Sequence, residues 1–104
     1  MTLPEFLLAR IAEDEAGADD VHRVGCGASP DEQGYTYPCD CGQPARLLAE
    51  CEAKRRIVGV NAAPDWPQGD DRYTLGWQDS AHAVLRALAL PYASHPDYDE
   101  AWRP

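Results

Sequence analysis

The run His22-Arg23-Val24-Gly25-Cys26, followed after twelve residues by Cys39-Asp40-Cys41, decides how this chain is read. Three of its four cysteines and one of its three histidines fall within residues 22–41. The surrounding segment, 19–42, has no hydrophobic periodicity and is broken by Gly25, Gly27, Pro30, Gly34 and Pro38. A loop of that length inside a small domain needs an external reason to be ordered. Thiolates and an imidazole at this density supply one: a tetrahedral zinc site of the three-sulfur, one-nitrogen type. The expected ligands are His22, Cys26, Cys39 and Cys41, and the expected role of Zn²⁺ is structural. Cys51 stands as the alternative fourth ligand in place of His22.

On either side of the loop the periodicity is helical. Leu3, Phe6, Leu7 and Ile11 place a first helix at residues 3–16, with Thr2 as cap, Pro4 in the first turn and Glu5 at the positive end. A second helix is expected at 44–60, with Leu47, Leu48, Cys51 and Val58 on one face and Ile57 flanking it. Its surface carries Glu50–Lys54 and Glu52–Arg56 as favourable pairs four residues apart. Lys54-Arg55-Arg56 near its end suits the helix dipole and reads more simply as a solvated helix end than as a partner contact. Residues 61–75, with two prolines and adjacent aspartates, form a turn region. A third helix is expected at 75–90 on a stripe of Ala81, Val84, Leu85 and Leu88, with Thr74 as cap and Pro91 as stop. The tail is aromatic at intervals, and Tyr92, Tyr98 and Trp102 are expected to pack back over the helices. The fold class is therefore mainly α. It has about three helices, a zinc-stabilised irregular loop between the first and second, and a single domain over 1–104.

Two blocks carry a family resemblance: Pro44-Ala-Arg-Leu-Leu-Ala-Glu-Cys-Glu-Ala-Lys-Arg-Arg-Ile-Val58, and Val84 through Pro104 with its His95-Pro96-Asp97-Tyr98 turn. They resemble a small uncharacterised family of actinobacteria and their phages that carries only a domain-of-unknown-function label. The resemblance implies an actinobacterial or phage source and brings no activity or catalytic residue with it. Some members are similar to this chain in having the histidine and cysteine spacing of the loop. Cys51 departs from the apolar residue expected at its position, which favours a packing role for it.

Composition narrows the function classes. The chain has 104 residues, 18 acidic against 9 basic, for a formal charge of −9. That surface repels nucleic-acid phosphates, so no direct nucleic-acid binding is expected. The first ten residues lack a basic n-region and a long apolar run, and no stretch approaches a membrane span, so the expected setting is cytoplasmic. In that compartment cysteines point to metal before disulfides; in a secreted chain two disulfides would be the rival reading. Catalysis is not expected. A catalytic zinc keeps an open position beside a general base, and the deaminase pattern of His-x-Glu with Pro-Cys-x-x-Cys is absent here. Arg-Val-Gly follows His22, and Cys39 and Cys41 are one residue apart. His82 reads as a surface or half-buried residue, and Arg23 and Arg46 lie close enough in sequence to offset the negative site.

Two functions remain. The first is a small acidic zinc-stabilised interaction module, of phage or prophage derivation, that binds a host or phage protein through a helix face or its aromatic tail. The second is a DNA-mimicking inhibitor whose Glu13, Asp14, Glu15, Asp19, Asp20, Asp31 and Glu32 occupy a nucleic-acid-binding site.

Overall fold

A computed structural model describes residues 1–62, 69 and 71–104, and among these it is built of helices and loops without a strand. The order is α1 (Leu3–Ala16), a 3₁₀ turn (Ala18–Asp20), the long loop, α2 (Gln43–Asn61) and α3 (Arg72–Ala89). Two further 3₁₀ turns follow, at Leu90–Tyr92 and Glu100–Trp102.

Local chemistry sets the ends of α1. Thr2 and Glu5 form a reciprocal capping box: Thr2 Oγ1 accepts from the Glu5 N–H at 3.2 Å, and Glu5 Oε1 accepts from the Thr2 N–H at 3.3 Å. Leu3, Phe6, Leu7, Arg10 and Ile11 form the buried face. Arg10 occupies that apolar register because its charge finds partners there. Its Nη2 donates to Glu13 at 3.0 Å, Nη1 lies 3.7 Å from Asp97, and Nη1 donates to the His95 ring at 2.7 Å from the nearer nitrogen.

Helix α2 buries Cys51 and Val58, two turns apart, with Leu47 packed partly against the core. Leu48 and Ile57, expected on or beside that face, are exposed at 44% and 37%. The Glu52–Arg56 pair forms at 2.9 Å. The Glu50–Lys54 pair does not, because each residue has another partner. Arg46 Nε donates to Glu50 at 3.2 Å, and Lys54 Nζ donates to the Tyr92 hydroxyl at 3.2 Å. Arg55 crosses to Glu15 on α1 at 2.6 Å. The basic triplet is thus spent on intramolecular contacts.

Helix α3 begins three residues earlier than the sequence reading places it. Asp71 rather than Thr74 is the cap: its carboxylate accepts from the Thr74 N–H at 2.9 Å and from the Thr74 hydroxyl at 2.6 Å. Of the turn region expected at 61–75, Asn61 instead ends α2 and residues 72–75 form the first turn of α3, while 63–68 and 70 lie outside the described residues. Ala81, Leu85 and Ala89 form the buried seam of α3, Leu88 packs partly against the core, and Val84 is 39% exposed.

The tail closes the core around one ring. Phe6 is fully buried, and the rings of Tyr92, His95, Tyr98 and Trp102 lie 6.4, 5.8, 5.9 and 5.1 Å from its centroid. Most of these contacts are edge-on, as ring quadrupoles prefer. The turn at His95–Tyr98 is closed by the Tyr98 N–H donating to the His95 carbonyl at 3.0 Å. The Tyr92 hydroxyl donates to Asp14 at 2.7 Å, tying the tail to the far end of α1. Burial, then the Asp14 carboxylate, pushes the Tyr92 hydroxyl well above its ordinary pKa.

Candidate metal centre

The connection from α1 to α2 passes through the loop, so the C-terminus of α1 and the N-terminus of α2 bracket it. The 3₁₀ turn after α1 buries Ala18 and packs against α2. It also aims the Asp19 carbonyl at His22, where it accepts from Nε2–H at 2.7 Å. A carbonyl cannot donate, so Nε2 carries the ring proton and Nδ1 is left as a lone pair. Fixing one imidazole nitrogen so that the other faces a metal is the usual outer support of a histidine ligand.

Cys26 follows a turn in which its N–H donates to the Arg23 carbonyl at 3.0 Å, with Gly25 at φ +85°. That left-handed third position is where a type II turn calls for glycine. Past Cys26 the loop doubles back on itself. The Tyr37 N–H donates to the Gly27 carbonyl at 2.7 Å, and the Gly27 N–H donates to Asp40 Oδ1 at 3.1 Å. A Cβ on Gly27 would lie 3.0 Å from the Pro38 carbonyl oxygen, so a side chain there would push the two arms of the loop apart by a few tenths of an ångström, and glycine suits the close approach. The Gly27 N–H, and after it the Cys26 thiol, hold the Asp40 carboxyl below its ordinary range.

These constraints bring His22, Cys26, Cys39 and Cys41 together, with one ligand atom from each and all four within 4.8 Å of one another. His22 Nδ1 is 3.5, 3.4 and 3.6 Å from the sulfurs of Cys26, Cys39 and Cys41. The Cys26–Cys39 and Cys39–Cys41 sulfurs are each 3.7 Å apart. Zinc–sulfur and zinc–nitrogen bonds of about 2.3 and 2.05 Å in a regular tetrahedron give edges of about 3.8 Å between sulfurs and about 3.6 Å from nitrogen to sulfur. The donor set therefore fits a tetrahedral metal ion in both spacing and type. No disulfide joins any of the four cysteines in this structure. Cys51 lies apart from the cluster, fully buried in the core formed with Phe6, Leu7, Val58 and Leu85. Burial raises its thiol pKa, and Asp14 and Glu15 add to that.

Backbone dipoles serve the sulfurs. The N–H groups of Arg23 and Gln43 point at Cys41 and pull its thiol down to about 6. Cys39 receives the N–H groups of Cys41 and Gly42, but burial and the neighbouring Cys41 and Cys26 thiols outweigh them and leave it raised. Cys41, opposed by desolvation and then helped by the Asp19 carbonyl, raises the His22 ring. Arg23 thus serves the site through its backbone, and Arg46 directs its guanidinium to Glu50. Gly42, at φ +71°, carries the chain from Cys41 directly into α2.

The Asp19 carbonyl and the close approach at Gly27 were not legible in the sequence, since neither depends on side-chain type in a recognisable spacing. Arg10 was legible in principle, because position 10 falls in the 3-6-7-10-11 register of the buried face. His82 is exposed on α3 and His95 lies in the tail core, so neither joins the cluster. No helix among the described residues is long and apolar enough to cross a membrane. No curated protein and no solved structure matches the chain. Its match to a family runs from 1 to 104, taking in the cysteine loop as well as the two helical blocks, and the chain therefore belongs to DUF6221, a family of unknown function.

Proposed function

We propose that the chain is a zinc-stapled helical module that works by binding another protein in the cytoplasm, without catalysis of its own. His22, Cys26, Cys39 and Cys41 are the proposed ligands, and zinc is the proposed ion because the set is sulfur-rich, closed and four-coordinate. All four positions are filled by protein, which leaves no coordination site for a reacting water. We take the partner to be a protein of an actinobacterial host or of its phage, a reading supported by the resemblance of the two helical blocks alone.

The observation that carries the binding role is what the loop displays. Val21, Val24, Tyr35 and Tyr37 stand 46%, 106%, 65% and 61% exposed. Apolar and aromatic side chains held outward on a loop with almost no buried residues of its own are what a protein contact uses. The aromatic tail is the weaker candidate, because its rings are folded onto Phe6. The DNA-mimic reading is weaker too. Glu13 pairs with Arg10, Glu15 with Arg55, and Asp14 accepts from Tyr92, so much of the acidic row is engaged within the chain.

The test is a comparative pull-down with zinc-loaded wild type beside a Val24→Ser, Tyr35→Ser, Tyr37→Ser variant of equal metal content. A partner recovered by the wild type and lost from the variant is the expected result. Equal recovery by both would refute the loop surface. Loss only on neutralising Glu13, Asp14, Glu15, Asp19 and Asp20, with steep salt dependence, would favour the mimic.

A further inference from the structure

The end of the molecule away from the cysteine cluster holds a cavity of about 520 Å³. Its walls come from the first turn of α1 (Leu3), the C-terminal end of α2 (Asn61), α3 (His82, Leu85, Arg86) and the tail (Trp102). Helix α2 separates the two ends by roughly 27 Å at 1.5 Å per residue. The volume is within the range of small-molecule sites.

Arg86 is the unusual group there. Arg10, Arg46, Arg55, Arg56 and Arg103 each pair with a carboxylate. Arg86 has no such partner among the described residues, and its buried Nε has no hydrogen-bond acceptor. Arg23 and Arg72 also lack a carboxylate partner among the described residues, but both are exposed, so in a chain with 18 acidic residues Arg86 stands out as the half-buried guanidinium without a counter-ion. A buried donor left unpaired is costly, and such exceptions ask for an explanation.

We infer that this cavity is a binding site for a small, singly charged carboxylate with an apolar body. The planar fork of Arg86 matches a carboxylate in two-point contact. Leu3, Leu85 and the Trp102 ring supply the apolar walls for the rest of the ligand. Charge argues for a monoanion. One arginine lines the cavity, with the His82 ring one turn earlier on α3, and the chain as a whole is at −9, so a dianion would be under-neutralised. The positive end of α1 borders the cavity and adds modestly in the same direction. This site is independent of the metal reading, since no residue is shared between the two.

The experiment is NMR titration of the full-length, metal-replete, ¹⁵N-labelled chain with 3-phenylpropionate and, separately, with its uncharged amide, 3-phenylpropionamide. The acid is expected to shift the Arg86 Nε–H, the Trp102 Nε1–H and the Leu3 and Leu85 amides, and to saturate. A charge-assisted hydrogen bond of about 1.4 kcal/mol or more makes the amide at least roughly tenfold weaker. Arg86→Gln should lose that preference, and Arg86→Lys should keep part of it. Because the acid–amide comparison uses the unmodified chain, the result does not depend on a variant folding. Equal binding of acid and amide, shifts outside the cavity only, or no shifts at all would overturn the assignment.

Discussion

Replacing Phe6 with alanine removes the ring on which the tail closes. Phe6 is fully buried and meets Tyr92, His95, Tyr98 and Trp102, with the Arg10 guanidinium 5.1 Å from its centroid. Deleting a buried phenylalanine side chain costs about 3–5 kcal/mol, and the ring contacts place this site at the upper end. A domain of this size has roughly 5–15 kcal/mol in total, so the loss takes between about a third and the whole of it. At about 4 °C per kcal/mol the midpoint falls by roughly 12–20 °C. The damage should also be local. Residues 92–103 should lose hydrogen-exchange protection first, because Phe6 is their common contact, while the metal content stays unchanged. Urea denaturation with exchange mass spectrometry reads both quantities. A loss below about 1.5 kcal/mol, or a tail as protected as in the wild type, would refute the reasoning.

Three further outcomes follow from the same contacts. Cys39→Ser and Cys41→Ser should each lose the metal and open residues 19–42, lowering stability by several kcal/mol, because structural zinc binding is folding energy; Cys51→Ser should keep the metal, and elemental analysis with exchange at the loop amides checks all three. Metal affinity should fall as pH is lowered and should fall more steeply below about 6: backbone donors depress the metal-free Cys41 thiol to that value, so below it one more proton must be displaced on binding, and a chelator-competition titration against pH would read the change in slope. Tyr92→Phe should cost about 1–2 kcal/mol by stranding Asp14 and Lys54, and the wild-type advantage should shrink above pH 10, since a raised hydroxyl pKa contributes fully below the unfolded value and is lost as the folded group ionises; urea midpoints of both proteins across alkaline pH check it.

What was legible in the sequence was what local rules decide. Thr2 as cap and the stripe at Leu3, Phe6, Leu7 and Ile11 gave α1 its observed bounds, 3–16, while Glu5, read only as suited to the positive end, also completes a capping box. The start of α3 was misplaced because Asp71 and Thr74 are both competent caps; which one acts depends on tertiary packing, and Thr74 is drawn inside at 4% exposure. The aromatic tail declared that it packs but not on what, since Phe6 lies some ninety residues earlier in the chain. Lys54 illustrates the same gap. Helix spacing pairs it with Glu50, but the Tyr92 hydroxyl arrives from a distant segment and takes it. At the cysteine cluster the donor types were legible from spacing. The Asp19 carbonyl that selects the His22 tautomer was not, because every residue has a carbonyl.

The account rests most heavily on four side chains acting as one metal site. Elemental analysis of protein purified without added metal, combined with thiol titration before and after chelation, tests that directly. The expected result is one zinc per chain, no reactive thiol in the native protein, and three thiols released by chelator while Cys51 stays shielded until unfolding. Less than about 0.2 equivalents of any transition metal, with Cys26, Cys39 and Cys41 freely reactive in the native protein, would contradict it.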